Sequence, residues 1–245
     1  MTLNIPSFII TMQGESVSES LADECVSSTQ KFGIEPKIFP GIHGEQIELA
    51  WKKFKLKEFQ FNKRIKKLNR GAIGCTISHL TLWKKCIELQ TPILILEHDA
   101  VMIRSIPQNI LDKFEDVCNL DWLSRMTTNY DVEVKQDRGQ GVNLFKEKRP
   151  AYSGLELYNK SHIKGAHSYI IKPQGAQKLI DWVWAHGVLS ADVVINSVAC
   201  KLSYSDTSYF RINQKYWNSK RMKGNQSFTR PTTQDKLLMK EKNAV

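Results

Sequence analysis

Residues Glu97-His98-Asp99 place two carboxylates around an imidazole, directly after the apolar run Ile93-Leu94-Ile95-Leu96. Carboxylates gathered in this way suit a hard divalent cation whose coordination is shared with phosphate oxygens. Alternate residues of an extended segment face opposite sides, so His98 is either a third ligand or turned away from its neighbours. The plainer alternative is a solvated turn of acids after a strand. Which reading holds depends on the elements that carry these residues.

The run from Ile93 to Leu96 has no polar alternation and lies between Pro92 and charged residues. A run this short reads as a strand buried on both faces, and ligands in open α/β sheets collect at the carboxyl ends of strands. The segment Gly71 to Leu89 that feeds it reads as a mostly buried helix. Ile73, Ile77, Leu80 and Ile87 mark one stripe, and Cys75, His79, Leu82 and Cys86 a neighbouring one. Trp83 reads as core.

Nearer the N-terminus, Ser7 to Thr11 is a predicted strand. A helix follows from a Ser16/Glu19 capping box to about Phe32, closed by Gly33. Pro36 to Phe39 is the next strand, which completes a βαβ unit. No Gly-x-Gly-x-x-Gly or Walker A sequence accompanies it. Helices are expected at Glu45–Leu56, Asn109–Cys118, from Pro173 onward and at Asp192–Ala199. Further strands are expected at Asp121–Met126, Val142–Phe145, Leu155–Tyr158 and Gly165–Ile171, with strand or loop at Tyr204–Ile212. The predicted organisation is one α/β domain over residues 1–214, with a mostly parallel, Rossmann-like sheet flanked by helices. A basic, irregular extension over 215–245 completes it.

With 41% hydrophobic and 24% charged residues the composition is globular, and no apolar run approaches the ~20 residues of a membrane span. The first ten residues carry no signal-peptide pattern. Five cysteines without Cys-x-x-Cys spacing, four of them inside apolar patterns, suggest buried reduced thiols of a cytosolic protein. That argues against both a disulfide framework and a zinc site. The charge is segregated: residues 52–70 hold nine Lys/Arg against Glu58, and residues 211–242 hold nine against Asp235 and Glu241. With a net charge of +10 for the whole chain, the remainder is acidic. Two basic segments on an acidic body suit a polyanion; the alternative is a solubilising face and a frayed tail.

The pattern Gly-x-x-Gly-Cys-x-x-Ser-His-x-x-x-Trp from Gly71 to Trp83, followed by an apolar strand and Glu97-x-Asp99-Ala100, resembles the family 25 glycosyltransferases. That family includes lipopolysaccharide and collagen hydroxylysine galactosyltransferases. The resemblance is strong from Gly71 to Ala100 and looser over about residues 5 to 200. It implies a GT-A-like fold, a nucleotide-sugar donor as co-substrate, and inversion at the anomeric carbon. By the same match Asp99 contacts a divalent metal, manganese or magnesium, that bridges the diphosphate, and Glu97 contacts the ribose or the metal. The family's middle Asp is His98 here. The donor would also meet Thr11 and Met12 after the first strand, although the family's Ile-Asn-Leu is replaced by Ile10-Thr11-Met12. Gly71 and Gly74 either admit the donor close to the backbone or serve helix–strand packing. Ser78 and His79 either bond into the donor loop or are structural. An inverting transfer needs a general base. Asp192 is the first candidate, with a helix N-cap as its plainer role; His167 is the second, with a packed strand histidine as its plainer role.

The acceptor is left open by the resemblance. Lipopolysaccharide or another surface glycan, met at the anionic inner face of a membrane, is the family's default. DNA carrying hydroxymethylated bases is the second possibility. Lys63, Arg64, Lys66, Lys67 and Arg70 lie near Phe59 and Phe61, and Lys220, Arg221 and Lys223 near Tyr216, Trp217 and Phe228. Both sets would suit phosphates with stacked bases or a headgroup layer. A reading from another class is a non-catalytic basic adaptor with a degenerate sugar-nucleotide fold.

Overall fold

The chain order is β1 (Ser7–Thr11), α1 (Ser16–Gln30), β2 (Lys37–Pro40), α2 (Gln46–Lys53), α3 (Arg70–Leu89), β3 (Ile93–Glu97) and β4 (Ala100–Met102). It continues with β5 (Val117–Asn119), β6 (Val132–Gln136), β7 (Val142–Glu147), β8 (Ser168–Ile171), α4 (Pro173–His186), α5 (Ala191–Val194), β9 (Leu202–Ser205) and β10 (Phe210–Ile212). The computed structural model describes residues 3–58, 70–121, 163, 165–205 and 207–213, with the backbone of 132–136 and 142–147.

Eight strands form one sheet in the order β2-β1-β3-β8-β5-β9-β7-β6, and β4 pairs with β10 in a separate ribbon. The buried run behaves as its composition predicts: Ile93, Leu94, Ile95 and Leu96 are all fully buried. Ile93 and Ile95 pack with Phe8, Ile10, Leu80, Leu179 and Val183 on the α3/α4 face. Leu94 and Leu96 pack with Ile9, Ala22, Cys25 and Ile110 on the α1 face. Full burial of each such side chain is worth about 1.5–3 kcal/mol, so β3 anchors both layers.

The α/β class and the βαβ start are as expected. The proportion of parallel pairing is not: β1–β2, β1–β3 and β5–β9 are parallel, whereas β3–β8, β5–β8, β7–β9 and β6–β7 are antiparallel. Helices carry the chain back to the starting edge before β2 and β3. By contrast β8 begins at the carboxyl end of β3, with Ser168 beside Leu96, so it must run the other way. Two local expectations also change. Asn109–Cys118 is not one helix but a 3₁₀ turn at Gln108–Asp112 followed by β5. Asp116 diverts the chain: its carboxylate accepts from the Lys201 backbone N–H at 2.8 Å and bonds Lys178, and its carbonyl accepts from the Lys172 N–H at 2.9 Å. Helix α1 does start at Ser16, but Glu15 is its N-cap; Glu19 instead accepts from the Gly14 N–H at 2.9 Å, and the Ser18 hydroxyl from the Met12 N–H at 2.9 Å. The expected strand at Leu155–Tyr158, most of Asp121–Met126 and the extension from 215 lie outside the described residues.

Candidate active site

Because β2, β1 and β3 are parallel, their carboxyl ends meet. Thr11 lies beside Pro40 and Ile10 beside Glu97. The His98 N–H donates to the Ile10 carbonyl at 3.1 Å, and the Gly41 N–H to the Thr11 carbonyl at 2.8 Å. The segment is tight at Gly41, where a Cβ would lie 3.3 Å from both Met12 Sδ and the Thr11 carbonyl oxygen. Helix α3 closes over this end. Gly74 faces the carbonyl of Ile42, and the Ser78 hydroxyl accepts from the Ile42 N–H at 2.8 Å while donating to the Gly74 carbonyl at 2.8 Å. Gly74 and Ser78 thus grip Ile42 through the peptides on its two sides, while Gly71 sits half-buried in the first turn of α3.

The next turn of α3 brings His79, fully buried, onto the strand end. Its Nε2 is 3.1 Å from Glu97 Oε1 and its Nδ1 is 2.8 Å from the Tyr169 hydroxyl. The Trp83 indole N–H donates to the same hydroxyl at 2.9 Å. An indole N–H can only donate. With a neutral imidazole, every proton finds an acceptor when Tyr169 donates to Nδ1 and Nε2–H donates to Glu97. The chain of hydrogen bonds then runs from Trp83 through Tyr169 and His79 to the carboxylate. Burial alone would raise the Glu97 carboxyl. The His79 hydrogen bond, with the fields of the His79, His167 and His98 rings, outweighs it and holds the group down at about 2.

Around this core the other charges are mutually within electrostatic range. Cys75 Sγ lies 3.6 Å from Glu97 Oε1, and burial, then the fields of Glu97, Asp192 and Asp99, push its thiol well above the usual range. Asp192 and Asp99 therefore share the surroundings of Glu97. Asp192 is half-buried at the start of α5, whose N-cap is Ser190. Its carboxylate makes no hydrogen bond among the described residues, so it does not spend itself on capping. His167 is buried, with Nε2 2.9 Å from Asp121 Oδ2, and its carbonyl accepts from the Glu97 N–H at 2.9 Å. Burial lowers the His167 pKa, but the Asp121 bond and the fields of Asp121, Asp99 and Glu97 leave it raised.

A family model described as Glycosyltransferase family 25 (LPS biosynthesis protein) matches residues 6–195. The chain belongs to glycosyltransferase family 25. It is similar to procollagen galactosyltransferase 2 of Mus musculus, 26% identical over 154 residues that cover 60% of this chain and 23% of the relative. A putative glycosyltransferase of Haemophilus influenzae is 24% identical over 159 residues, covering 63% of this chain and 51% of the relative. The match thus spans about a quarter and about half of these two curated relatives. Among solved structures, a CTP:phosphocholine cytidylyltransferase from Streptococcus pneumoniae covers 91% of this chain and 99% of its own at 10% identity and a TM-score of 0.42.

In this family 25 chain the structure gathers Thr11, Met12, Gly74, Ser78, His79, Glu97, His98 and Asp99 around one sheet end. Among the described residues, the ligand atoms that converge within 4.8 Å of one another are those of Cys75, His79 and Glu97, whereas sequence pattern pointed to Glu97, His98 and Asp99. Arg70 bonds Glu48 with both guanidinium nitrogens and donates to the Gly44 carbonyl at 2.8 Å, so its charge is matched at the start of α3. Lys63, Arg64, Lys66, Lys67, Lys220, Arg221 and Lys223 lie outside the described residues. None of the described helices is long and apolar enough to cross a membrane. Tyr169, Cys75 and Asp121 were not singled out from sequence. The available signal for Tyr169 was a phenol hydroxyl beside the aliphatic pair Ile170-Ile171, which needs a partner when buried.

Two stability results follow from this network. Tyr169→Phe leaves the Trp83 N–H buried without its acceptor, so unfolding in urea should show a loss of about 1–3 kcal/mol. For Glu97 the folded pKa of about 2 lies below the ordinary 4.5. Its contribution is therefore complete above about pH 4.5 and fades as the pH falls toward 2. Glu97→Gln should remove this part of the acid sensitivity, read as a smaller difference in urea midpoint between pH 5 and pH 3 than in the wild type.

Proposed function

We propose that this chain transfers a sugar from a nucleotide-sugar donor to a hydroxyl acceptor, with inversion at the anomeric carbon, in the assembly of a surface glycan such as lipopolysaccharide. The supporting observation is the ionised Glu97, with Asp99 and Asp192 in the same field, at the joined carboxyl ends of β1, β2 and β3. The acceptor class follows the family's description and the two basic segments.

The donor diphosphate would lie over the strand ends near Thr11, Met12 and Glu97. The carboxylates of Glu97 and Asp99 are hard oxygen donors and fit Mn²⁺ or Mg²⁺. When bound, such a cation supplies neutralisation of the departing diphosphate. Asp192 accepts the proton of the acceptor hydroxyl as that oxygen bonds to the anomeric carbon. The bond from that carbon to the diphosphate oxygen breaks with its electron pair, and the nucleoside diphosphate leaves. His167 is the weaker candidate for this role, since it is buried and its Nε2 is already held by Asp121.

A thermal-shift panel of nucleotide sugars, with and without MnCl₂, tests the reading. One donor class should raise Tm, since a ligand at 100 times its Kd adds about 2.7 kcal/mol to the folded state. Asp99→Asn should remove the manganese-dependent part of that shift. If no nucleotide sugar or nucleoside diphosphate moves Tm, the donor site is wrong and the adaptor reading gains. The acceptor is tested by retention on anionic vesicles against duplex DNA at low ionic strength; retention on DNA alone would overturn the glycan assignment.

A further inference from the structure

We propose that Cys75, His79 and Glu97 form a binding site for a thiophilic divalent cation, Zn²⁺ foremost, which takes Glu97 away from the donor site when it is filled. Cys75 and His79 are four residues apart on α3 and so lie on one face of the helix. Glu97 meets them from the end of β3. The sulfur, Nε2 and Oε1 atoms lie within 4.8 Å of one another, with Nε2–Oε1 at 3.1 Å and Sγ–Oε1 at 3.6 Å. A tetrahedral zinc with bonds of about 2.0 Å to nitrogen and oxygen and about 2.3 Å to sulfur holds its ligand atoms about 3.3–3.5 Å apart. These two separations are therefore close to tetrahedral edges before any cation arrives.

The surroundings suit the same ligand. A metal-bound histidine donates its other ring N–H to an outer partner, which fixes the ring and its tautomer. Here Nδ1 faces the Tyr169 hydroxyl at 2.8 Å, and Trp83 holds that hydroxyl in turn. Cys75 and Glu97 are half-buried, so the cation has a way in. Three protein ligands leave the fourth position to water, the pattern of an exchangeable site rather than a closed structural one. The cysteine spacing that argued against zinc in the sequence does not bear on a helix pair completed by a strand-end carboxylate.

The protons and charges balance. Coordination releases one proton from the Cys75 thiol to solvent. The imidazole stays neutral by moving its hydrogen from Nε2 to Nδ1, and the Tyr169 hydroxyl turns from donating to Nδ1 to accepting from it. The thiolate and the carboxylate match the two charges of the cation. Manganese prefers all-oxygen ligands, whereas a site with sulfur and imidazole favours zinc. If the sugar-transfer reading holds, zinc and the donor compete for Glu97; the binding itself does not depend on that reading.

The full chain titrated with CoCl₂ and then ZnCl₂ decides the matter. Cobalt should give a sulfur-to-metal charge-transfer band in the near ultraviolet with tetrahedral visible absorption, and one equivalent of Zn²⁺ should bleach both. Cys75→Ser, with its Tm checked, should abolish the band. Tyr169→Phe should weaken Zn²⁺ binding about 10-fold through the outer hydrogen bond. Asp99→Asn should leave the band in place, which separates this site from the proposed oxygen-ligand one. The absence of any sulfur band with Co²⁺, or a band that survives Cys75→Ser, overturns the proposal. Donor shifts in the thermal panel that persist while cobalt gives no band would leave sugar transfer standing and remove only the zinc site.

Discussion

Asp192→Asn is expected to lower the transfer rate by about 10²–10⁴-fold, the range that a positioned general base contributes, with little change in donor affinity. The amide keeps the shape of the side chain and loses the negative charge and with it the capacity to take a proton. The carboxylate makes no hydrogen bond among the described residues, and Ser190 holds the N-cap position of α5, so the variant should fold like the wild type. Measured as sugar transfer, or as donor hydrolysis where water stands in for the acceptor, the loss should fall in kcat while KM for the donor stays near its starting value. A variant that keeps the wild-type rate would place the proton acceptor elsewhere. A variant that loses rate and Tm together would show Asp192 to be structural.

Gly74→Ala is expected to cost about 3 kcal/mol or more, at the upper end of what overpacking does, out of a total stability of about 5–15 kcal/mol. A Cβ there would stand 2.2 Å from the carbonyl oxygen of Ile42, which is backbone and cannot swing aside. The same residue is held by Ser78 through its N–H. To make room, α3 must lift from the turn between β2 and α2, and with it His79 must draw away from Glu97. Both stability and donor binding should therefore fall, read as a urea midpoint and as a lost thermal shift. Gly14→Ala is the contrasting control. Among the described residues, no atom beyond its chain neighbours lies within 4 Å of its Cβ, but its φ of +83° is left-handed. The cost there is backbone strain of about 1–2 kcal/mol, with no effect on the α3 contact. Equal losses in the two variants would refute the steric account.

These contacts mark how far the sequence could be read. Strand β3 was legible because four consecutive apolar residues admit few other placements, and α3 because its stripes repeat at helical spacing. The N-terminal βαβ unit was legible for the same reasons. The direction of β8 was not, since Ser168–Ile171 reads identically either way. Its polarity depends on which end of β3 the chain has reached. Nor was the 3₁₀ turn before β5 legible, because what ends a helix there is Asp116 capturing backbone and side chain from residues more than fifty positions away. At the site, the motif marked His79 and Glu97 separately. The hydrogen bond between them arises where α3 lies on the end of β3, and the role of Tyr169 from the pairing of β3 with β8, neither of which a local pattern encodes. The spacing of Gly74 and Ser78 was visible, but the residue they grip, Ile42, comes from a turn more than thirty residues earlier.

The return of the chain along β10 adds a matter of distance. β10 pairs with β4, and the Asn213 N–H then donates to the Asp99 carbonyl at 2.8 Å, while the Asn213 side chain holds Glu24. The basic C-terminal segment is thus leashed at the rim of the sheet end. Lys220 follows Asn213 by seven residues, so even a fully extended chain keeps its Cα within about 25 Å of that anchor. Under the proposed function, a polyanion held by Lys220, Arg221 or Lys223 would stay within that reach of the strand ends. Its local concentration there is set by the length of the leash rather than by its abundance in solution.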